Sequence, residues 1–158
     1  MMSEIKYHEA TEQDIPKMIE LWKEFIDFHK FRDPFFSRSK EGPENFGKFI
    51  KGNLNKDDAI VYVADTNGEV VAHILATIQV YPPAFELKRY GLINDLAVAS
   101  AWRRYGIGKH LFDMAKKWFI EKGINRIEIE VAIANEVSTA FWHKMDFKPY
   151  KEKDYLEI

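Results

Sequence analysis

Seven consecutive residues could do chemistry together: Arg103-Arg104-Tyr105-Gly106-Ile107-Gly108-Lys109. They follow a short apolar run, Leu96-Ala97-Val98, and lead into an amphipathic stretch of helical period. A strand that feeds a glycine-bearing turn and then a helix start makes a pocket for anions. The first helical N–H groups have no partner inside the helix, and its dipole adds positive potential there. Glycine at 106 and 108 lets the backbone approach a ligand closely, and Arg103, Arg104 and Lys109 supply mobile charge. Two phosphate-binding turns fail on spacing. A P-loop needs an earlier glycine and a hydroxyl after the lysine, where His110 stands; a dinucleotide turn needs a third glycine where Leu111 stands.

Several elements must position this turn. Residues 4–9 alternate apolar and polar side chains, as a first strand does. Thr11 and Asp14 mark a helix start, with Pro16 tolerated in its first turn. An apolar stripe from Ile15 through Trp22 to Ile26 follows, and His29 at its end reads as a packed or capping histidine. Residues 30–42 read as a break whose Phe31, Phe35 and Phe36 either plug the core or line a cleft. A short helix is expected over 43–53. Strands are expected over 59–64 and 69–80, joined by Asn67-Gly68, a hairpin turn signal. Pro82 and Pro83 break the sheet, and the next strand spans 90–98. The helix after the glycine turn runs to Gly123. A strand over 126–133, a short helix opened by Asn135, and a final strand over 147–158 complete the order. Helices alternating with strands, plus one hairpin, predict an α/β or α+β sheet covered by helices.

Composition sets the outer bounds. The chain has 158 residues, read as one domain over 1–158, and 46% of them are hydrophobic, enough for a core. A net charge of −2 gives no general basic field, so no nucleic-acid partner is expected. The lack of cysteine excludes a disulfide, a cysteine nucleophile and a thiolate metal site. No metal is called for. No signal peptide or membrane span is visible, and a cytoplasmic protein with no membrane partner is the expectation.

The element order, and Arg103-x-x-Gly106-x-Gly108 after a strand ending in Val98, resemble the GCN5-related N-acetyltransferases. Asn135, Ala140-Phe141-Trp142 and Asp146-Phe147 stand in further places of the family pattern. Trp142 departs from the usual tyrosine there, and Asp146 from a glycine. The resemblance implies the acyl-CoA N-acyltransferase fold: a mixed, mostly antiparallel, twisted sheet of six to seven strands, splayed between the fourth and fifth. It implies acetyl-CoA as cosubstrate, with its arm in the splay beside Leu96, Ala97 and Val98. The Val98 N–H would polarise the thioester carbonyl. The pyrophosphate would rest on residues 103–109, including Tyr105 and Ile107, with Asn135, Ala140 and Trp142 nearby. It further implies acetyl transfer to a primary amine in a ternary complex; a CoA-binding module without catalysis is the alternative, and a homodimer is compatible with the resemblance.

A lysine-like amine has a pKa of about 10.4 and attacks only when neutral, so a base is needed. Asp95, on the strand that would line the cleft, is the best-placed carboxylate; the bland alternative is a structural carboxylate bonded to a loop N–H. Asn94, as a water positioner, and Glu130 are alternatives. A thiolate of pKa about 8.5 leaves with less help. Tyr105, Tyr150, Tyr155 and His143 are the candidate acids, and spacing picks none of them. Phe28, Phe31, Tyr81, Phe85, Glu86 and Asn94 are the candidate acceptor-binding residues, an aromatic-walled set for a small amine, a polyamine, an antibiotic or a peptide amine.

Overall fold

A computed structural model describes residues 3–158. Its centre is one sheet in the order β1 (Lys6–Glu9), β2 (Ala59–Thr66), β3 (Glu69–Val80), β4 (Arg89–Val98) and β5 (Ile127–Ile129). Every neighbouring pair is antiparallel except β4 and β5, which run parallel. Asn67 and Gly68 take positive φ angles of 52° and 79° at the β2–β3 turn, the handedness that matches strand twist.

Helices α1 (Ile15–Arg32) and α2 (Gly42–Asn53) cover one face, and α3 (Ile107–Glu121) and α4 (Glu136–Lys144) the other. Met18, Phe46 and Ile50 pack with Val61, Val63 and Leu75 on the first face. Ile74, Ala76 and Ile93 pack with Leu111, Ala115 and Phe119 on the second. Opposite faces take alternate residues of β3, as a pleated strand requires.

One interruption positions the site. Up to Ile93, β4 pairs with β3 in one register, Ile93 opposite Ala76; from Asp95 onward the register moves by one, with Asp95 opposite Leu75. Asn94 is the extra residue, a β-bulge. Before it, the Gly91 N–H donates to Arg126 on the β5 side; after it, the Ala99 N–H donates to Val71 on the β3 side. Odd-numbered residues therefore point their backbone groups at β5 before the bulge and at β3 after it.

Four expectations need correction. The sheet has five strands, not six to seven. Residues 147–158 form no strand: β5 offers an outer edge of three residues, Pro149 has no N–H to donate, and the segment is held through the Tyr150 side chain. The strand expected over 126–133 is confined to Ile127–Ile129, because the chain then turns, with Asn135 N–H on the Ala132 carbonyl, to start α4. Finally, α1 continues through the expected break as far as Arg32, and Asp33 before Pro34 ends it in an extended conformation.

Candidate functional site

The bulge leaves a strand edge without a strand. β5 pairs with residues 91–93 and stops. Beyond it, Leu96 and Val98 aim their backbone groups away from β3, into the gap where β4 and β5 part. The Arg103 Nε reaches back to donate to the Val98 carbonyl at 3.2 Å. The Val98 and Leu96 N–H groups thus face the open side of the sheet, while Ala97 faces β3.

That edge runs into the start of α3. Arg104 and Gly106 both take left-handed conformations, φ 67° and 78°, and successive N–H groups in such turns converge. Gly106 is the N-cap, and among the described residues no side chain caps the helix. The first helical bond is from His110 N–H to the Gly106 carbonyl, so the N–H groups of Ile107, Gly108 and Lys109 precede the ladder. Ile107 is buried, anchoring the turn, and Tyr105 is exposed. Lys109 pairs with Asp113 at 2.7 Å, one turn on. Helix α1 lies across the loop. Glu24 accepts from the Ser100 N–H at 2.8 Å, and the Phe28 ring carries the Arg103 guanidinium at 4.8 Å and that of Arg32 at 3.6 Å.

Asp95 lies at the other end of the open edge, on the α1–α2 face. Its Oδ2 is 2.6 Å from Nε2 of His73, a residue of β3 diagonal to it. His73 is 0% exposed and the Asp95 side chain 13%. Sequence reading missed His73; the signal available was a single imidazole inside the apolar run Val70-Val71-Ala72-His73-Ile74-Leu75. Asn94, exposed at the bulge, accepts from Thr77 through its side-chain oxygen at 2.8 Å.

On the far side of the gap, Asn135 is buried and caps α4, accepting from the Ser138 N–H at 3.1 Å. Its amide donates to His29 Nε2 at 3.0 Å, and His29 Nδ1 donates to the Phe25 carbonyl at 2.9 Å. These partners tie the end of α1 to the start of α4 across the gap. Ala140 is exposed on α4. Trp142 turns inward, 4% exposed, edge-on to Phe112 and Phe147. Its neighbour Phe141 faces the mouth instead: a Cβ added to Gly108 would lie 3.4 Å from the Phe141 ring and 3.5 Å from Val98. Asp146, in place of the family's glycine, adopts φ 66°, a conformation an aspartate tolerates better than most residues.

The candidate acceptor residues fall into two groups. Phe28 and Phe31 lie at the α1 end; Phe31 is 91% exposed and Phe35 84%, so neither plugs the core. Tyr81, Phe85 and Glu86 lie beyond the start of β4, about 26 Å of strand from Val98 at ~3.3 Å per residue. Tyr81 stacks on Tyr90 at 4.2 Å and donates to Glu128, and Phe85 packs on its edge. Tyr150 donates to the same carboxylate at 2.7 Å, and Arg126 at 3.0 Å. Burial would push the Glu128 carboxyl up, but these donors outweigh it and hold it below the ordinary range. Of the candidate acids, Tyr150 is thus engaged, Tyr155 and His143 are exposed, and Tyr105 is on the loop itself. Glu130 is exposed past the end of β5.

Comparison with known proteins bears on the family and the fold. The family described as "Acetyltransferase (GNAT) family" matches residues 18–147. An N-alpha-acetyltransferase of Sulfurisphaera tokodaii is 29% identical over 115 residues, 69% of each chain. The BH1408 protein of Bacillus halodurans, solved as a tetramutant, superposes with a TM-score of 0.84 at 23% identity, over 97% of this chain and 99% of that one. A predicted acetyltransferase of Clostridium acetobutylicum, solved with acetyl-CoA, gives a TM-score of 0.80 at 17% identity, over 98% of this chain and 96% of that one. Among the described residues, no helix is long and apolar enough to cross a membrane.

Proposed function

The chain belongs to the acetyltransferase (GNAT) family, and on that premise we propose that it moves an acetyl group from acetyl-CoA to the nitrogen of a primary amine by direct transfer. One observation carries the reading: the unpaired edge of β4 runs from a carboxylate, Asp95, straight to the uncapped N-terminus of α3. A ligand with an extended amide-bearing arm and a pyrophosphate at its end fits such a path. The arm adds to the edge as a strand would, and the helix start takes the anion.

Acetyl-CoA, when bound, supplies an acetyl group activated as a thioester. The chain's residues do the rest. Leu96, Ala97 and Val98 form the wall along which the arm lies, with the backbone groups of Leu96 and Val98 pairing with it. The Val98 N–H donates to the thioester oxygen, a contact of a kind worth about 3 kcal/mol in the transition state. The N–H groups of residues 104–109 hold the pyrophosphate, with Arg103, Arg104 and Lys109 adding charge. Asn135 acts by fixing α4, so that Ala140 and Phe141 bound the mouth, and Trp142 supports Phe141 from the core. Asp95 takes a proton from the amine. Phe28 and Phe31 border the amine's entry, with Asn94 beside it.

Acetyl-CoA, NAD and ATP are each added to the purified protein in a thermal-shift measurement. Saturation with acetyl-CoA at one hundred times its Kd adds about 2.7 kcal/mol, a rise of roughly 5–10 °C for a chain of this size. NAD and ATP are expected to do less. Release of CoA is then followed with spermidine, kanamycin and a peptide with a free N-terminus. Turnover with any of them supports the transferase. Binding of acetyl-CoA without CoA release marks a binding module, and no thermal rise at millimolar acetyl-CoA overturns the reading.

A further inference from the structure

We infer that His73 is a positioning residue for Asp95, holding one carboxylate oxygen so that the other meets the amine; this rests on the assignment of Asp95 as base. The geometry is specific. The Asp95 carboxylate can only accept, so His73 Nε2 carries a proton and donates it at 2.6 Å to Oδ2. The imidazole is fully buried and its Nδ1 has no partner among the described residues. Phe46 lies against it, ring centroids 5.7 Å apart. A second proton on Nδ1 would be an orphan donor in apolar surroundings. The alternative neutral tautomer would set a lone pair against the carboxylate. Only the Nε2–H form fits both sides of the ring.

An imidazole with an orphan nitrogen is a poor core residue, because burying a polar atom without a partner costs free energy. Its one hydrogen bond is to Asp95, the carboxylate at the base of the open edge. Pinning Oδ2 leaves Oδ1 as the free acceptor. In the reaction, an N–H bond of the substrate ammonium breaks and its proton moves to Oδ1. The freed nitrogen lone pair forms the C–N bond as the C–S bond breaks, and the second proton goes to the leaving sulfur or to solvent. His73 keeps its proton throughout.

The test compares His73→Leu, His73→Gln and Asp95→Asn, using the best acceptor among spermidine, kanamycin and the peptide. His73→Leu is expected to lower kcat about tenfold, less than the roughly 10²–10⁴-fold that loss of a general base costs, with KM for acetyl-CoA unchanged. His73→Gln, which retains a side-chain N–H, recovers part of the loss in kcat. Wild-type kcat in His73→Leu, with Asp95→Asn impaired, overturns the positioning role and leaves the base in place. Full activity in Asp95→Asn overturns the base assignment and this inference with it. Nitrogen-15 NMR of His73 in the wild-type protein is independent of how the variants fold: it is expected to place the proton on Nε2. A proton on Nδ1 there overturns the inference.

Discussion

Residues 89–93 of β4 have a strand partner on both edges, whereas residues 95–98 have one only on the β3 side. The first half is core. Gly91 lies so close to α3 that an added Cβ would fall 2.6 Å from the buried Phe119 ring, and Tyr81, Tyr90, Arg126, Glu128 and Tyr150 close its outer end. The second half is the candidate site, with free backbone groups on one edge and the His73–Asp95 pair on one face. Asn94 divides them. A single extra residue reverses which edge each backbone N–H serves, so one strand contributes both a closed scaffold and an open binding edge.

Deleting Asn94 is the strongest way to break this division. The bulge bends β4 away from β5, and without its extra residue the strand runs on in regular alternation from Ile93. Asp95 would keep its face and its reach to His73, while the straightened strand closes the gap beside Leu96 and Val98. The acetyl-CoA-induced rise is expected to vanish, and the melting temperature without ligand to fall by only a few degrees. Asn94→Ala keeps the residue count and should keep that rise, losing only the 2.8 Å bond from Thr77. A deletion variant that still responds to acetyl-CoA like the wild type would show that the bulge is not what opens the edge.

Paired glycine substitutions sharpen the contrast at a smaller scale. Gly91→Ala in the closed half overpacks Phe119 and should cost about 1–3 kcal/mol of stability, with the acetyl-CoA Kd unchanged. Gly108→Leu beside the open half meets Phe141 and Val98 and projects toward the path proposed for the cosubstrate. Gly108 is buried, so this too should cost about 1–3 kcal/mol of stability, but unlike Gly91→Ala it should remove the thermal response to acetyl-CoA. Denaturant titration and calorimetric binding on both variants would read the two effects separately. An equal loss of acetyl-CoA affinity in both would erase the distinction between the halves.

The same contrast governs what could be read from sequence. The glycine turn, the hairpin at Asn67-Gly68 and the helix opened by Asn135 each have a local cause, a backbone conformation or cap that particular residues favour, and each was legible. The bulge was not. It is a mismatch in count between two strands, and neither strand's sequence carries it alone. The phase reversal it produces hid the pairing of His73 with Asp95, since alternation from Ile93 would put Asp95 on the other face. Residues 147–158 misled for the converse reason. Alternation of polar and apolar side chains describes a strand only if an edge is there to pair with, and β5 supplies just three residues. The aromatic run after α1 could not be placed either, because composition does not tell an exposed Phe31 from a buried one.

The smallest expected effect concerns the closed end and bears on whether Tyr81 belongs to the acceptor site. Hydrogen bonds from Tyr81, Arg126 and Tyr150 outweigh burial and lower the Glu128 pKa, so the cluster's contribution is present above the ordinary glutamate value of about 4.3. It is lost as pH falls through the lowered folded value. Tyr150 behaves in the opposite sense. Its bond to Glu128, then burial, raises its pKa, so its contribution is present below the ordinary tyrosine value of about 10 and is lost as pH rises through the raised one. The Tyr150 ring signals in NMR should therefore be constant at neutral pH and move toward free-tyrosine positions at both extremes. Glu128→Gln should abolish the acid transition while leaving the thermal response to acetyl-CoA unchanged, since Glu128 stands opposite Leu92, about 20 Å of strand from Val98. The amine is the discriminating ligand. If KM for the acceptor also stays unchanged in Glu128→Gln, then Tyr81, Phe85 and Glu86 belong to the scaffold, and the amine enters from the α1 side past Phe28. If that KM rises while the acetyl-CoA Kd holds, the closed end of β4 is part of the acceptor site.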